Sequence, residues 1–220
     1  MGFLHGLRDP ESGLSIAKKL RSRRFAFFLE LVSTLPRPIS ILDVGGTQDF
    51  WETMEFVDPD ASQITVLNMQ APESRHENVA TVAGDACAMD AFTDAQFDVV
   101  FSNSVIEHVG DDARQEAMAR EVRRVGRRYF VQTPNLYFPI EPHFMFPFFQ
   151  FLPIPVRGWL LSNLKLSWGG KIPDREQARQ AARSVALVGL SRFREMFPDG
   201  AIYRERVLGL TKSFVAYRGF

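Results

Sequence analysis

The sequence has a single cysteine, Cys87, so no disulfide can form within the chain. It has no surplus of charge either, because 26 lysines and arginines stand against 26 aspartates and glutamates. A protein built to neutralise a phosphate backbone needs a basic excess, so nucleic acid is not an expected partner. No run approaches the roughly 18 apolar residues of a membrane-spanning helix. The most apolar stretch, "FMFPFFQFLPIPV", is short and broken by three prolines, which excludes spanning but leaves open contact with a bilayer surface. The four histidines, at 5, 76, 108 and 143, are scattered and do not cluster with the cysteine, so no metal site is expected. The start, "MGFLHGLRDPESG", lacks the basic residues and apolar core of a secretory signal, and the expected location is the cytoplasm.

What is present reads as one α/β domain over residues 1–220. Ile16, Leu20, Phe27 and Leu31 recur at helical spacing in 15–35, with Lys18, Lys19, Arg21 and Arg23 on the other side. Five branched, almost continuously apolar runs follow at 40–44, 64–68, 78–84, 97–103 and 128–133, the pattern of strands buried on both faces. Between the last two, "DDARQEAMAREVRRVG" predicts a helix capped by Asp111 or Asp112 and stopped at Gly126. Strand, crossover helix and strand make a parallel unit. The segment 173–220 predicts a helix capped by Asp174, a second helix over 184–200, and two closely joined strands, "AIYRERVLG" and "LTKSFVAYRG", that pair antiparallel.

In such a sheet the ligand lies beyond the carboxyl ends of the strands, so "SILDVGGTQDFW" aims Asp43, Gly45 and Gly46 at it. A dinucleotide fingerprint wants glycines where Thr47 and Phe50 stand, and a phosphate loop wants a lysine that is missing here. A ligand without phosphates, with cationic or hydroxylated parts for a carboxylate to hold, fits better.

"ILDVGGT", then "VAGDA", then "FDVVFSNSVIEHV", in this order and spacing, resemble the successive motifs of the class I S-adenosylmethionine-dependent methyltransferases, of the type 11 kind. The likeness covers about residues 37–135. It implies a Rossmann-like, doubly wound, mostly parallel seven-stranded sheet with a C-terminal antiparallel hairpin, and S-adenosylmethionine as cofactor. It also implies roles for residues: Asp43, Gly45 and Gly46, with Thr47 beside them, under the methionine part; Asp85 and Ala86 at the adenine amino group; Met69 on the adenine ring; Ser102 and Asn103 facing the amino acid portion. Two positions depart from the family. Asn68 stands where an acidic residue usually grips the ribose hydroxyls, and Thr47 and Asp49 stand where further glycines are usual. Asn68 can still bond a hydroxyl or simply close a turn, and Asp43 and Asp85 could instead cap the helices that follow.

Methyl transfer needs mainly positioning, because the cofactor carries its own leaving group. The preferred base is His143 in "FPIEPHFMFP", with Glu141 to orient it, against the alternative of a buried structural histidine. His108 and Glu107 read as support for the cofactor loop, and Tyr137 and Asn135 as substrate-orienting or loop-packing residues.

The insertion over 137–172 is too rich in phenylalanine and proline for an exposed loop. It reads as a lid over an apolar acceptor, a membrane contact, or a second small core or homodimer interface, with the glycine pair 169–170 as a hinge. The expected activity is methyl transfer to a small, apolar, aromatic or lipid-like acceptor, most simply at oxygen. The rivals are a non-catalytic binding protein of the same fold and a peripheral membrane adaptor.

Overall fold

The computed structural model describes residues 10–140, 144, 146–166 and 170–220. Seven strands form one sheet: β1 (Ile39–Val44), β2 (Ser62–Asn68), β3 (Val79–Ala83), β4 (Val99–Asn103), β5 (Tyr129–Pro134), β6 (Ala201–Val207) and β7 (Leu210–Arg218). Their order is β3-β2-β1-β4-β5-β7-β6. β1 to β5 are parallel, and β7 runs antiparallel between β5 and β6. The order reverses between β1 and β4, the place where a doubly wound sheet opens a crevice for a ligand.

Helix α1 (Pro10–Val32) covers one face of the sheet with α2 (Gln48–Thr53), and α3 (Asp112–Val125) covers the other with α6 (Leu190–Met196). The alternation within β1 shows how the faces are chosen. Ile39 and Ile41 join the aromatic cluster of Phe25, Phe28, Trp51, Phe101 and Phe130, while Leu42 and Val44 join Met118, Val122 and Val125 of α3. Asp43 shares the parity of Ile39 and Ile41, so a carboxylate is directed into the aromatic side. That cluster is tightly arranged: Phe101 and Phe130 stack at 5.5 Å, and Trp51 meets Phe101 edge-on at 5.2 Å.

All five parallel strands lie where the sequence places them, to within two residues. Helix α3 begins after the Asp111 cap, whose side chain accepts from the Arg114 amide. Two expectations are corrected. The first helix starts at Pro10 and ends at Val32, and its most buried residues are Phe25, Phe28 and Val32, whereas Phe27 and Leu31 are half-buried. The predicted helix over 184–200 shrinks to α6, because the backbone before it is used elsewhere. The Ala186 amide donates to the Glu107 carbonyl, and Val188 accepts from Leu136, so 185–189 crosses the carboxyl edge outside any helix.

The insertion folds as its own small unit. α4 (Ile154–Asn163) packs on α5 (Arg175–Arg183), and Phe144, Phe149, Leu160 and Leu161 enclose Ala178 and Ala182. Gly158 permits this close approach, since a Cβ there would stand 2.8 Å from Arg179 Cγ. Asp174 caps α5 as predicted, accepting from the Gln177 amide at 2.7 Å. Of the glycine pair read as a hinge, Gly169 lies outside the described residues.

Candidate active site

The four neighbouring strands β3, β2, β1 and β4 end side by side, which brings Asp85, Asn68, the Gly45–Gly46 turn and Ser102–Asn103 into one row. The turn after β1 is held from several directions. Gly45 takes φ of 76°, and a Cβ on it would collide with Val105. A Cβ on Gly46 would lie 1.7 Å from Asp43 Oδ2, so no larger residue fits over the carboxylate. Thr47 occupies the N-cap of α2 without a side-chain bond.

Asp43 is buried, and the Trp51 indole N–H donates to its Oδ2 at 2.7 Å. Its Oδ1 has no partner. Burial therefore raises the carboxyl to about 7 from 3.8, against the smaller lowering effect of the Trp51 bond. Asp43 does not cap the next helix. It is a carboxylate with one oxygen left for something else.

Asn68 is engaged with the turn itself. Its Nδ2 donates to the Gly46 carbonyl at 2.9 Å, and its Oδ1 accepts from the Met69 amide at 2.8 Å. The amide thereby clips the glycine turn to the end of β2, a bond that a carboxylate could not donate. One lone pair of Oδ1 remains for a hydroxyl. Met69 is 76% exposed beside it, an apolar side chain open to a planar ligand.

Asp85 combines two roles. It accepts from the Cys87 amide at 2.9 Å, closing the turn after β3, and from Arg114 Nη2 at 2.9 Å. These bonds hold its carboxyl below the usual range, so it is ionised. Ala86 packs against the α3-side core next to it. Ser102 donates from its hydroxyl to the Val44 carbonyl at 3.1 Å, tying β4 to β1 below the crevice. A cleft of about 350 Å³ adjoins Gly46, Thr47, Asn68, Gln70 and Arg75. Its lining includes neither Asp85 nor Ser102, so it opens onto only one part of the row.

One part of the site escapes the sequence reading. Arg24 of α1 is buried and donates to Asn103 Oδ1, to Gln132 Oε1 at 3.0 Å and to Glu205 Oε2 at 3.0 Å. Ser213 adds a bond to Glu205 at 2.7 Å, and Lys212 Nζ lies 3.8 Å from the same carboxylate. The first helix is thereby pinned to the ends of β4, β5 and β6. The signal was present, because Arg24 stands four residues after Leu20 and four before Phe28, on the apolar stripe and not on the basic face.

Among the other predicted residues, buried Glu107 accepts from the Thr133 hydroxyl at 3.0 Å, and His108 Nδ1 lies 3.3 Å from the Ser184 carbonyl. Asn135 Nδ2 donates to the Thr211 carbonyl, and Tyr137 is largely exposed. His143 and Glu141 lie outside the described residues.

Residues 46–129 match the family described as a methyltransferase domain. Two uncharacterized proteins of Mycobacterium tuberculosis are 42% identical to this chain over 64 residues, 28% of this chain and 21% of theirs. The match thus spans about a fifth of those relatives' length. Among solved structures, 1,6-didemethyltoxoflavin-N1-methyltransferase of Burkholderia thailandensis, with bound 1,6-didemethyltoxoflavin and S-adenosylhomocysteine, aligns with a TM-score of 0.54 at 14% identity. That alignment covers 97% of this chain and 81% of that one. A SAM-dependent methyltransferase from Aquifex aeolicus aligns with a TM-score of 0.51 at 12% identity, covering 97% and 95%. The CurJ carbon methyltransferase reaches 0.59 at 10% identity, covering 92% and 54%.

Strand order, reversed last strand and glycine turn together define a protein of the class I, S-adenosylmethionine-dependent methyltransferase fold. Within that fold, residues 46–129 are the part of the chain that matches the methyltransferase-domain family.

Proposed function

We propose that the chain transfers the methyl group of S-adenosylmethionine to a small, apolar or aromatic acceptor, at oxygen. The observation that carries this reading is the buried Asp43 carboxylate with its unpartnered Oδ1 beneath a glycine turn that tolerates no side chain. A cationic amino acid group fits there, because it satisfies the orphaned oxygen and favours the charged carboxylate. The residues present therefore suit the cofactor, which when bound supplies a methyl group on a positively charged sulfur, already activated for in-line displacement. Gly45 and Gly46 let the backbone approach, Asn68 and Met69 would take the ribose and one face of the ring, and Asp85 with Ala86 the adenine edge.

The chain's own work is to orient the acceptor and exclude water. His143 is the base in this reading, with Glu141 to orient it, on sequence grounds. Transfer of labelled methyl from S-adenosylmethionine to phenolic and lipid-like acceptors tests the function. His143→Ala should slow turnover about 100-fold or more with cofactor affinity unchanged. Unaltered turnover removes the histidine from the mechanism.

A second partner is favoured by a separate observation. Phe148, Phe151, Val156 and Trp159 are exposed on the outside of the insertion. From 142 to 173 the sequence holds no acidic residue, while Arg157, Lys165 and Lys171 are basic. Exposed aromatics on a segment whose charged residues are all basic suit an anionic lipid surface. The basic part of α1 lies at the same end of the molecule. Val32 leads to the start of β1, and 23 helical residues, about 34 Å, outrun a six-residue strand of about 20 Å, so the helix start projects past the carboxyl edge. The chain should sediment with vesicles of phosphatidylcholine and phosphatidylglycerol in equal parts, and less with phosphatidylcholine alone. Trp159→Ser with Phe151→Ser should weaken this about tenfold. Failure to sediment with either vesicle, or a dimer that the double variant dissociates, rules out the lipid contact.

A further inference from the structure

A second cavity, of about 170 Å³, lies where the insertion meets the segment 185–187, beyond the end of β5. Leu136, Phe144 and Phe149 form apolar walls, and the two phenylalanine rings lie 4.5 Å apart between centroids. A dry apolar cavity of about 150 Å³ in another protein accommodates benzene, so this one has room for a single six-membered ring.

Gln150 lines the cavity, and its amide orientation is fixed. Nε2 donates to the Leu136 carbonyl at 2.9 Å and to the Phe138 carbonyl at 2.8 Å, which uses both N–H donors. The reverse orientation would set an oxygen against two carbonyl oxygens. Oε1 is therefore the free end, and it is buried without a partner. A buried acceptor left unsatisfied is costly, about 1–3 kcal/mol, so a ligand that brings a donor is favoured over one of equal shape without it.

We propose that this cavity is the acceptor subsite, that it takes an aromatic or similarly sized ring carrying a hydroxyl or amino group, and that Gln150 Oε1 selects the ligand by accepting that group's hydrogen bond. The bonded group anchors the ring and is distinct from the atom that is methylated. Gln150 is in this sense a specificity-determining residue. The proposal rests on the methyl-transfer reading only in naming the bound ring as the acceptor, since the binding itself is measured without any cofactor.

The test is ligand binding to the full chain, by calorimetry or ligand-observed magnetic resonance, with phenol and with anisole, which has the ring but no donor. Phenol should bind about tenfold more tightly than anisole, the factor expected when one buried hydrogen bond is gained. Gln150→Leu should abolish that preference. Because this change also removes two bonds to the insertion backbone, Val185→Phe serves as a second variant that fills the cavity and leaves Gln150 in place. It should lose phenol binding and keep the wild-type affinity for S-adenosylhomocysteine. Equal affinity for the two probes, no saturable phenol binding, or undiminished binding in Val185→Phe overturns the proposal. Each of those results leaves the cofactor reading intact if S-adenosylhomocysteine still binds. Phenol binding with no S-adenosylhomocysteine binding does the reverse.

Discussion

At the scale of the residue, Asp43 is the most consequential group, and its pH behaviour can be derived. Its folded value of about 7 stands above the unfolded 3.8, so the native state holds the proton more strongly than the unfolded chain. The stabilisation this gives is complete below pH of about 4 and is lost as pH rises through about 7, by at most about 4 kcal/mol. Wild type should therefore lose stability relative to Asp43→Asn between about pH 5 and 7, as read by denaturant unfolding at several pH values. A parallel pH dependence in the two proteins contradicts the assignment. Cofactor binding has the opposite trend, because a cation on Oδ1 favours the ionised form. Affinity should tighten as pH rises to about 7 and then level off, with proton release on binding below that value. The sequence made Asp43 and its glycines legible through their motif. It did not reveal that the partner of Asp43 is Trp51, whose indole N–H donates to the carboxylate from within the core. Nor did it show that Asn68 is occupied in holding Gly46, since a side-chain amide can close a turn or meet a ligand with the same two atoms.

Among the elements, strands were legible because burial on both faces leaves continuous apolar runs, and α3 because its cap, stripe and stop agree. The region before α6 was not. "SVALVGL" has helical spacing, but tertiary bonds from Ala186 and Val188 to the carboxyl edge outweigh local preference. The insertion was read with three outcomes open. It has a small core of its own around Phe149 and Ala182, with other aromatics left outside. At this scale the decisive link is Arg24, which joins α1 to three strands through buried polar groups. Arg24→Met should cost about 3–5 kcal/mol, because it leaves Glu205 buried with weaker compensation. Glu205→Gln placed on that background should restore part of the loss. Additive costs in this double-mutant cycle would show that the pair is not coupled.

Over the whole molecule, the sheet order brings residues 43, 68, 85 and 103 to one edge although they are spread over 60 positions of sequence. The row along this edge is therefore shaped by topology and not by closeness in sequence. Phe50 and Trp51 follow the glycine turn, and they pack α2 onto Phe25 and Phe101.

The most direct measurement is calorimetric titration of the full chain and of Gly46→Ala with S-adenosylhomocysteine, with NAD as the control. Wild type should bind with a dissociation constant in the micromolar range, about −8 kcal/mol, and should not bind NAD. Gly46→Ala should lose that binding, because its methyl group would occupy the position of the Asp43 carboxylate. Absence of binding by folded wild type, or unchanged binding by the folded variant, would contradict the account of this edge as a cofactor site.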